Sequence, residues 1–210
     1  MSINLLDELR DRTAPPFLPV TADQYQQMIE TGILHDGDPV ELLDGLLAPK
    51  DRSACGETLK THHPRHALLI KRLQRLLSAA SDAAGCHLQS QFPVSLSSNS
   101  VPEPDIAVVH GNEDDYGLRH PGPEDLLLVV EVADSSLATD RSTKQRLYAM
   151  AGIPRYWIVN LVDIQIEVSE SPEPSSGKYL QQTIWTSGQK FRWDASPSRS
   201  LEIIVADLLR

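Results

Sequence analysis

Only two cysteines occur in the 210 residues, Cys55 and Cys86. They are too few and too far apart for a disulfide framework or a CxxC metal knuckle, so a reducing cytoplasm is the expected compartment. No apolar run approaches the roughly 18 residues a membrane span requires, and Met1 to Arg12 is too charged for a secretory h-region. The chain is therefore expected to be soluble, with no membrane partner. Basic residues are not in excess either. A net charge of −10 argues against a protein that coats nucleic acid through bulk electrostatics. No internal repeat or low-complexity tract is visible, and the length suits a single α/β domain with a sizeable core.

Local composition departs from the acidic average. Thr58 to Ser81 contains no Asp or Glu but holds Lys60, Arg65, Lys71, Arg72, Arg75 and three histidines. A second segment sets Arg141, Lys144, Arg146 and Arg155 against Asp140 alone. Such runs are ordinarily solvated faces, yet two of them in an acidic chain suggest positive potential focused in one place.

Residues 1–20, with Pro15, Pro16 and Pro19, read as an irregular arm, and residues 21–210 as one domain. Thr21-Ala-Asp-Gln is an N-cap and first turn, so a helix is expected to about Glu30, stopped at Gly32. Asp44-Gly45 between apolar residues predicts a two-residue hairpin, and Asp51 to Thr61 a patternless loop. Pro64 suits the first turn of a helix whose apolar stripe is Ala67, Leu68, Ile70, Leu73, Leu76 and Leu77. Strands are expected at about His87 to Leu96, at Asp105 to Val109 and at Leu126 to Ala133. The last of these lacks alternation, as a strand covered on both faces would. A helix from about Asp140 to Ala151 stops at Gly152 and Pro154. A hairpin follows at Arg155 to Asn160 and Ile164 to Ser169, then a loop at Ser171 to Gly177. Short strands near Tyr179 to Thr186 and Lys190 to Trp193 would extend the sheet edge, followed by a C-terminal helix.

One carboxylate, Glu131, lies inside the apolar run LLLVVEVA. Burying it without a partner costs several kcal/mol, so a metal, a cation or hydrogen bonds must accompany it. Asp105, just before another apolar run, supplies a second acid. If the two strands are neighbours, both carboxylates can converge on a hard cation such as Mg²⁺, although many α/β proteins carry two strand-borne acids for structural reasons. Asp140, Lys144, Leu147 and Ala151 share one helical face. Lys144 either pairs with Asp140 at the surface, worth a few tenths of a kcal/mol, or points at the strand acids, where it can offset charge in a transition state. His62 and His66 have zinc-ligand spacing, but Pro64 between them favours a helix start. Tyr156 and Trp157, beside Ile158 and Val159, read as packing rather than base stacking. Ser135-Ser136 has no Gly-x-Ser-x-Gly elbow around it and suits a turn.

Taken together, Val40-Glu-Leu-Leu-Asp-Gly45, His66 at a helix start, Pro104-Asp105, Glu131-Val with Ser135-Ser136, Asp140-xxx-Lys144 and Tyr148-Ala-Met-Ala-Gly-Ile-Pro-Arg-Tyr-Trp157-Ile-Val resemble the Uma-two family of restriction endonucleases. That family is part of the PD-(D/E)xK nuclease superfamily, and the resemblance spans about Thr21 to Val168. It implies a restriction-endonuclease-like α/β core, a mixed central sheet flanked by helices, with an N-terminal helix and hairpin. It also implies that Asp105 and Glu131 bind the metal, Mg²⁺ or Mn²⁺. The superfamily lysine usually stands two residues after the acid, where this chain has Ala133; Lys144 is the position that matches in this family. Glu41 would be an auxiliary ligand or water-positioning base, as against a solvated hairpin carboxylate, and Asp44 would serve the turn. His66 would contact a phosphate or bound water, as against capping its helix.

The reading that follows is a metal-dependent endonuclease acting on DNA, with Asp105, Glu131, Lys144 and Glu41 as catalytic residues. His66 and basic side chains at Lys71, Arg72 and Arg75, or at Arg141 and Arg146, would meet the substrate, the basic residues tracking its backbone without reading sequence. A homodimer is compatible with cutting both strands. The competing readings are a catalytically inactive nuclease-fold module that binds nucleic acid or a protein, and a phosphodiesterase for smaller substrates.

Overall fold

The computed structural model describes residues 18–35, 37–50 and 64–210. The expected loop at Asp51 to Thr61, Cys55, Lys60, His62 and most of the N-terminal arm lie outside them. Thr21 caps α1 (Ala22–Glu30) through a reciprocal capping box with Gln24. The hairpin of β1 (Val40–Leu43) and β2 (Leu46–Pro49) turns at Asp44 and Gly45, both in the left-handed region, φ 51° and 80°. Gly45 is required for space as well: a Cβ there would lie 2.3 Å from that of Pro19.

Helix α2 (Pro64–Asp82) buries Leu69, Ile70, Leu73 and Leu77. The central sheet follows, with strands β3 (Cys86–Gln89), β4 (Ile106–His110), β5 (Leu126–Ala133), β6 (Arg155–Asn160), β7 (Gln165–Glu173) and β8 (Lys178–Thr186) side by side in chain order. Only β5 and β6 run parallel. Helix α3 supplies the crossover between them, as a parallel pair requires. It is α-helical over Leu137–Thr139, a π turn over Asp140–Lys144, and α-helical again over Gln145–Met150. Gly152, φ 75°, takes the left-handed position just past its end. Strand β9 (Lys190–Ser196), strand β10 (Arg199–Ile204) and helix α4 (Val205–Leu209) complete the chain.

Strand parity sorts the core into two layers. Ile106, Val108, Leu128, Val130 and Val132 face α2, α4 and the β9–β10 hairpin, where Trp157 meets Phe191 and Trp193 edge-on. Ala107, Val109, Val129, Ala133 and Ile158 face α3, β1 and the 94–96 segment. Each large side chain buried here stabilises the fold by about 1.5–3 kcal/mol.

Three expectations need correction. The strand at His87 stops at Gln89, because Gln91 turns through φ 54° and Pro93 follows. Strand β7 runs on to Glu173 through the segment read as a loop, with Ser171 at φ 58°. The strand at Lys190 does not extend the sheet: it pairs with β10, which the sequence reading did not contain, and the two lie across one sheet face. A seven-residue alternation such as KFRWDAS fixes which residues are buried but not which surface buries them. The Asp140 and Lys144 surface pair is also excluded, since both are buried. Among the described residues no helix is long and apolar enough to cross a membrane.

Candidate active site

The site forms where β4 begins and β5 ends. These strands are antiparallel with Ile106 opposite Val130, so one step outward places Asp105 opposite Glu131. Directly opposed residues on antiparallel strands project to the same face. Glu131 is 4% exposed. Its Oε1 accepts both the Lys144 ammonium at 3.0 Å and the Tyr148 hydroxyl at 2.9 Å. Asp105 behaves similarly: its Oδ2 accepts the Val132 N–H at 2.8 Å and lies 3.2 Å from His66 Nε2. Oε2 of Glu131 and Oδ1 of Asp105 are thereby left without a protein partner among the described residues.

Lys144 reaches this point because α3 packs its inward stripe, Asp140, Thr143, Lys144, Leu147 and Tyr148, on the β5 face. Its Nζ also lies 3.2 Å from Glu41 Oε1, brought by the β1 hairpin. The other Glu41 oxygen accepts the Glu103 N–H at 3.1 Å. Glu41 thus holds Lys144 and the 103 backbone at once. The hairpin is fastened to the same helix a second time, by the ion pair of Asp44 with Arg146.

Burial works against charge on every member of this cluster. It lowers the affinity of Lys144 for its proton, but Glu131, Glu41 and Asp140 reverse the effect and hold its pKa well above that of a free lysine. Burial raises Glu131, and the Lys144 ammonium opposes the rise. An ammonium with two carboxylate acceptors at 3.0 and 3.2 Å is the charged form the geometry supports. For His66, burial lowers the pKa, but the hydrogen bond and charge of Asp105 outweigh it and leave a net rise. An imidazolium donating to Asp105 follows at mildly acid pH.

Asp140 belongs to the site and was not singled out as a candidate from sequence. It is 1% exposed, its Oδ2 accepts the Ser136 hydroxyl at 2.6 Å, and its buried Oδ1 has no partner among the described residues. Burial, followed by the charges of Asp105 and Glu41, raises its pKa to about 6 against the pull of Lys144 and Ser136. The folded state therefore binds this proton more tightly than the unfolded chain does. That contribution is complete below about pH 4 and is lost as pH rises through about 6, amounting to about 2–3 kcal/mol. Asp140→Asn should cancel it. The stability of the variant relative to the native chain, from urea unfolding, is expected to improve by that amount between pH 4 and pH 8; a constant difference would refute the assignment.

The other candidate residues are dispersed. Lys71 and Arg75 are exposed on α2, with no ion pair among the described residues. Arg72 instead donates to the backbone carbonyls of Leu208 and Arg210, capping α4. Arg141 is clamped by Glu167, at 2.6 and 2.9 Å, and by Asp163 at 3.0 Å. Tyr156 and Trp157 are core residues. Tyr148 contributes to the site through its position one helical turn after Lys144, a spacing visible in the sequence.

No three His, Cys, Asp or Glu side chains among the described residues form a ready-made metal cage. Mg²⁺ does not need one: it is commonly held by one or two carboxylates with water and substrate phosphate. The unpartnered oxygens of Asp105 and Glu131 are hard donors on adjacent strands and fit that pattern.

The architecture has solved counterparts. The crystal structure of a putative nuclease belonging to DUF820 from Anabaena variabilis superposes with a TM-score of 0.63 at 13% identity, covering 91% of this chain and 98% of that one. No curated protein matches the chain. The sequence profile of the Uma2 family, described as "Putative restriction endonuclease", matches residues 22–204. Its match over nearly the whole described domain means that the chain belongs to the Uma2 family.

Proposed function

We propose that this protein is a metal-dependent endonuclease that hydrolyses DNA phosphodiester bonds. One observation carries the reading: Asp105, just before β4, and Glu131, on β5, stand opposite each other, each with one oxygen held by the protein and one left open among the described residues. The description of the Uma2 family and that of the Anabaena nuclease agree with it. Mg²⁺ or Mn²⁺ on those oxygens would supply a Lewis acid for the phosphate and lower the pKa of a bound water.

The chain's own groups do the rest. His66 and the Val132 N–H fix the Asp105 carboxylate. Tyr148 fixes that of Glu131. Lys144 has three N–H donors, of which Glu131 and Glu41 take two. With metal bound, a donor not held by Glu41 would be available to a phosphoryl oxygen, where positive charge stabilises the developing dianion. Exposed Lys71 and Arg75 on α2, the helix that carries His66, would hold the flanking backbone.

Supercoiled plasmid and duplex oligonucleotide, incubated with Mg²⁺ or Mn²⁺, are expected to be nicked or cut, and EDTA is expected to stop the reaction. Cleavage that persists in EDTA would remove the metal from the mechanism. The second reading, a non-catalytic module, draws on the absence of a preformed three-ligand cluster among the described residues. It predicts DNA or protein binding with no cleavage under any metal.

A further inference from the structure

We propose that the Lys144 ammonium is the resident counter-cation of the site, and that it must move off Glu131 before that carboxylate can hold a divalent metal. Metal entry and delivery of the lysine toward the phosphate would then be one linked event. The inference rests on the endonuclease reading and adds a regulation of the same site.

Three features of the cluster support it. First, one ammonium is shared by two carboxylates that are both less than 5% exposed, Glu131 at 3.0 Å and Glu41 at 3.2 Å. Like charges in so dry a place repel strongly, so the ammonium and a divalent cation cannot both remain against Glu131 without loss of affinity. Second, Glu131 is not stranded when the lysine leaves, because Tyr148 keeps its 2.9 Å hydrogen bond to the same Oε1. Third, the lysine has somewhere to go. Glu41 stays as its anchor, held in turn by the Glu103 N–H at 3.1 Å, and the four-carbon stem of lysine is flexible. Glu41 thereby acquires a specific role as a positioning residue: it retains Lys144 near the site while Glu131 changes partners. A π turn at Asp140–Lys144, a feature frequent at functional sites, carries the moving side chain.

The test uses the full chain and Mn²⁺ as the probe. Lys144, 7% exposed and held by two acids, should react slowly with acetic anhydride in metal-free buffer, followed by peptide mass spectrometry. Saturating Mn²⁺ should raise its acetylation several-fold, while Lys178, exposed on β8, stays constant. In parallel, Lys144→Met should bind Mn²⁺ about tenfold more tightly by calorimetry, the equivalent of 1.4 kcal/mol of relieved repulsion. Acetylation that is unchanged or slowed while Mn²⁺ is bound would overturn the displacement, and so would a Lys144→Met affinity equal to or weaker than native. The labelling arm needs no variant, so it decides the matter even where Lys144→Met folds poorly. If the native chain binds Mn²⁺ and Asp105→Asn does not, yet labelling is flat, only the displacement fails. If neither the native chain nor Lys144→Met binds Mn²⁺, the metal-dependent reading fails with it.

Discussion

Asp105→Asn and Glu131→Gln are each expected to lower plasmid cleavage by about a thousandfold or more. Both substitutions keep the shape of the side chain and remove one negative charge, so the effect separates the proposed metal-ligand role from the packing. A metal acting as Lewis acid stabilises the transition state by several kcal/mol, and each 1.4 kcal/mol is a factor of ten in rate. The two variants differ in what they leave behind. Asp105→Asn still accepts the Val132 N–H on its carbonyl oxygen and loses the charge that His66 faces. Glu131→Gln can still accept from Lys144 and Tyr148. Both should therefore remain folded, with cooperative melting followed by circular dichroism. Cleavage that survives either change within a factor of ten would remove that carboxylate from the metal site.

Lys144→Met is expected to destabilise the fold by about 3–5 kcal/mol, the usual penalty for removing one partner of a buried ion pair and leaving the other uncompensated. Methionine fills most of the space, so lost packing adds little. The uncompensated groups are Glu131 and Glu41, with Asp140 nearby. Once the ammonium is gone, its opposition to the effect of burial on Glu131 is lost, and the pKa of Glu131 rises further above the value in the unfolded chain. A carboxyl raised in the folded state favours folding while it is protonated and loses that advantage as pH climbs through its folded pKa. The penalty of Lys144→Met should therefore be larger at pH 8 than at pH 5, as measured by urea unfolding at both. A penalty below 1 kcal/mol, or one independent of pH, would show that Lys144 neutralises nothing of consequence. Asp140→Asn offers a useful comparison, because it removes a charge that burial opposes rather than one that burial needs.

The packing around Glu131 decides from which element its ammonium partner comes. Two residues after Glu131 stands Ala133, packed in the core layer beneath α3. A lysine there would have to bury its stem in that layer. The chain instead brings the ammonium from the following helix, and the parallel β5–α3–β6 unit returns α3 over the same sheet face that carries Glu131.

Several parts of this arrangement could be read without coordinates because they depend on local chemistry. Asp44-Gly45 needs left-handed backbone at two successive residues, Thr21 and Gln24 close a capping box, and the apolar run of β5 lacks alternation, as a strand covered on both sides does. The unusual cost of a carboxylate in LLLVVEVA drew attention to Glu131, and helical spacing drew it to Lys144. Asp140 was not assigned to the site because an Asp four residues before a Lys looks like an ordinary surface pair, and only burial distinguishes the two cases. Arg72 and Arg141 looked like free cations for the opposite reason. Their partners, the carbonyls of Leu208 and Arg210 and the carboxylates of Asp163 and Glu167, are distant in sequence or belong to another element.

What the sequence determined by itself was therefore most of the elements and the chemical types of the site, since capping, turn geometry and periodicity act over a few residues. What only the tertiary structure decided was pairing. It placed Asp105 opposite Glu131, put Lys144 between Glu131 and Glu41, gave Tyr148 to the same carboxylate oxygen, and laid β9 and β10 across the sheet rather than along its edge. Those contacts join residues from 13 to 103 positions apart. They exist only because the packed sheet and helix remove water from both partners, which makes each charge depend on the one it meets.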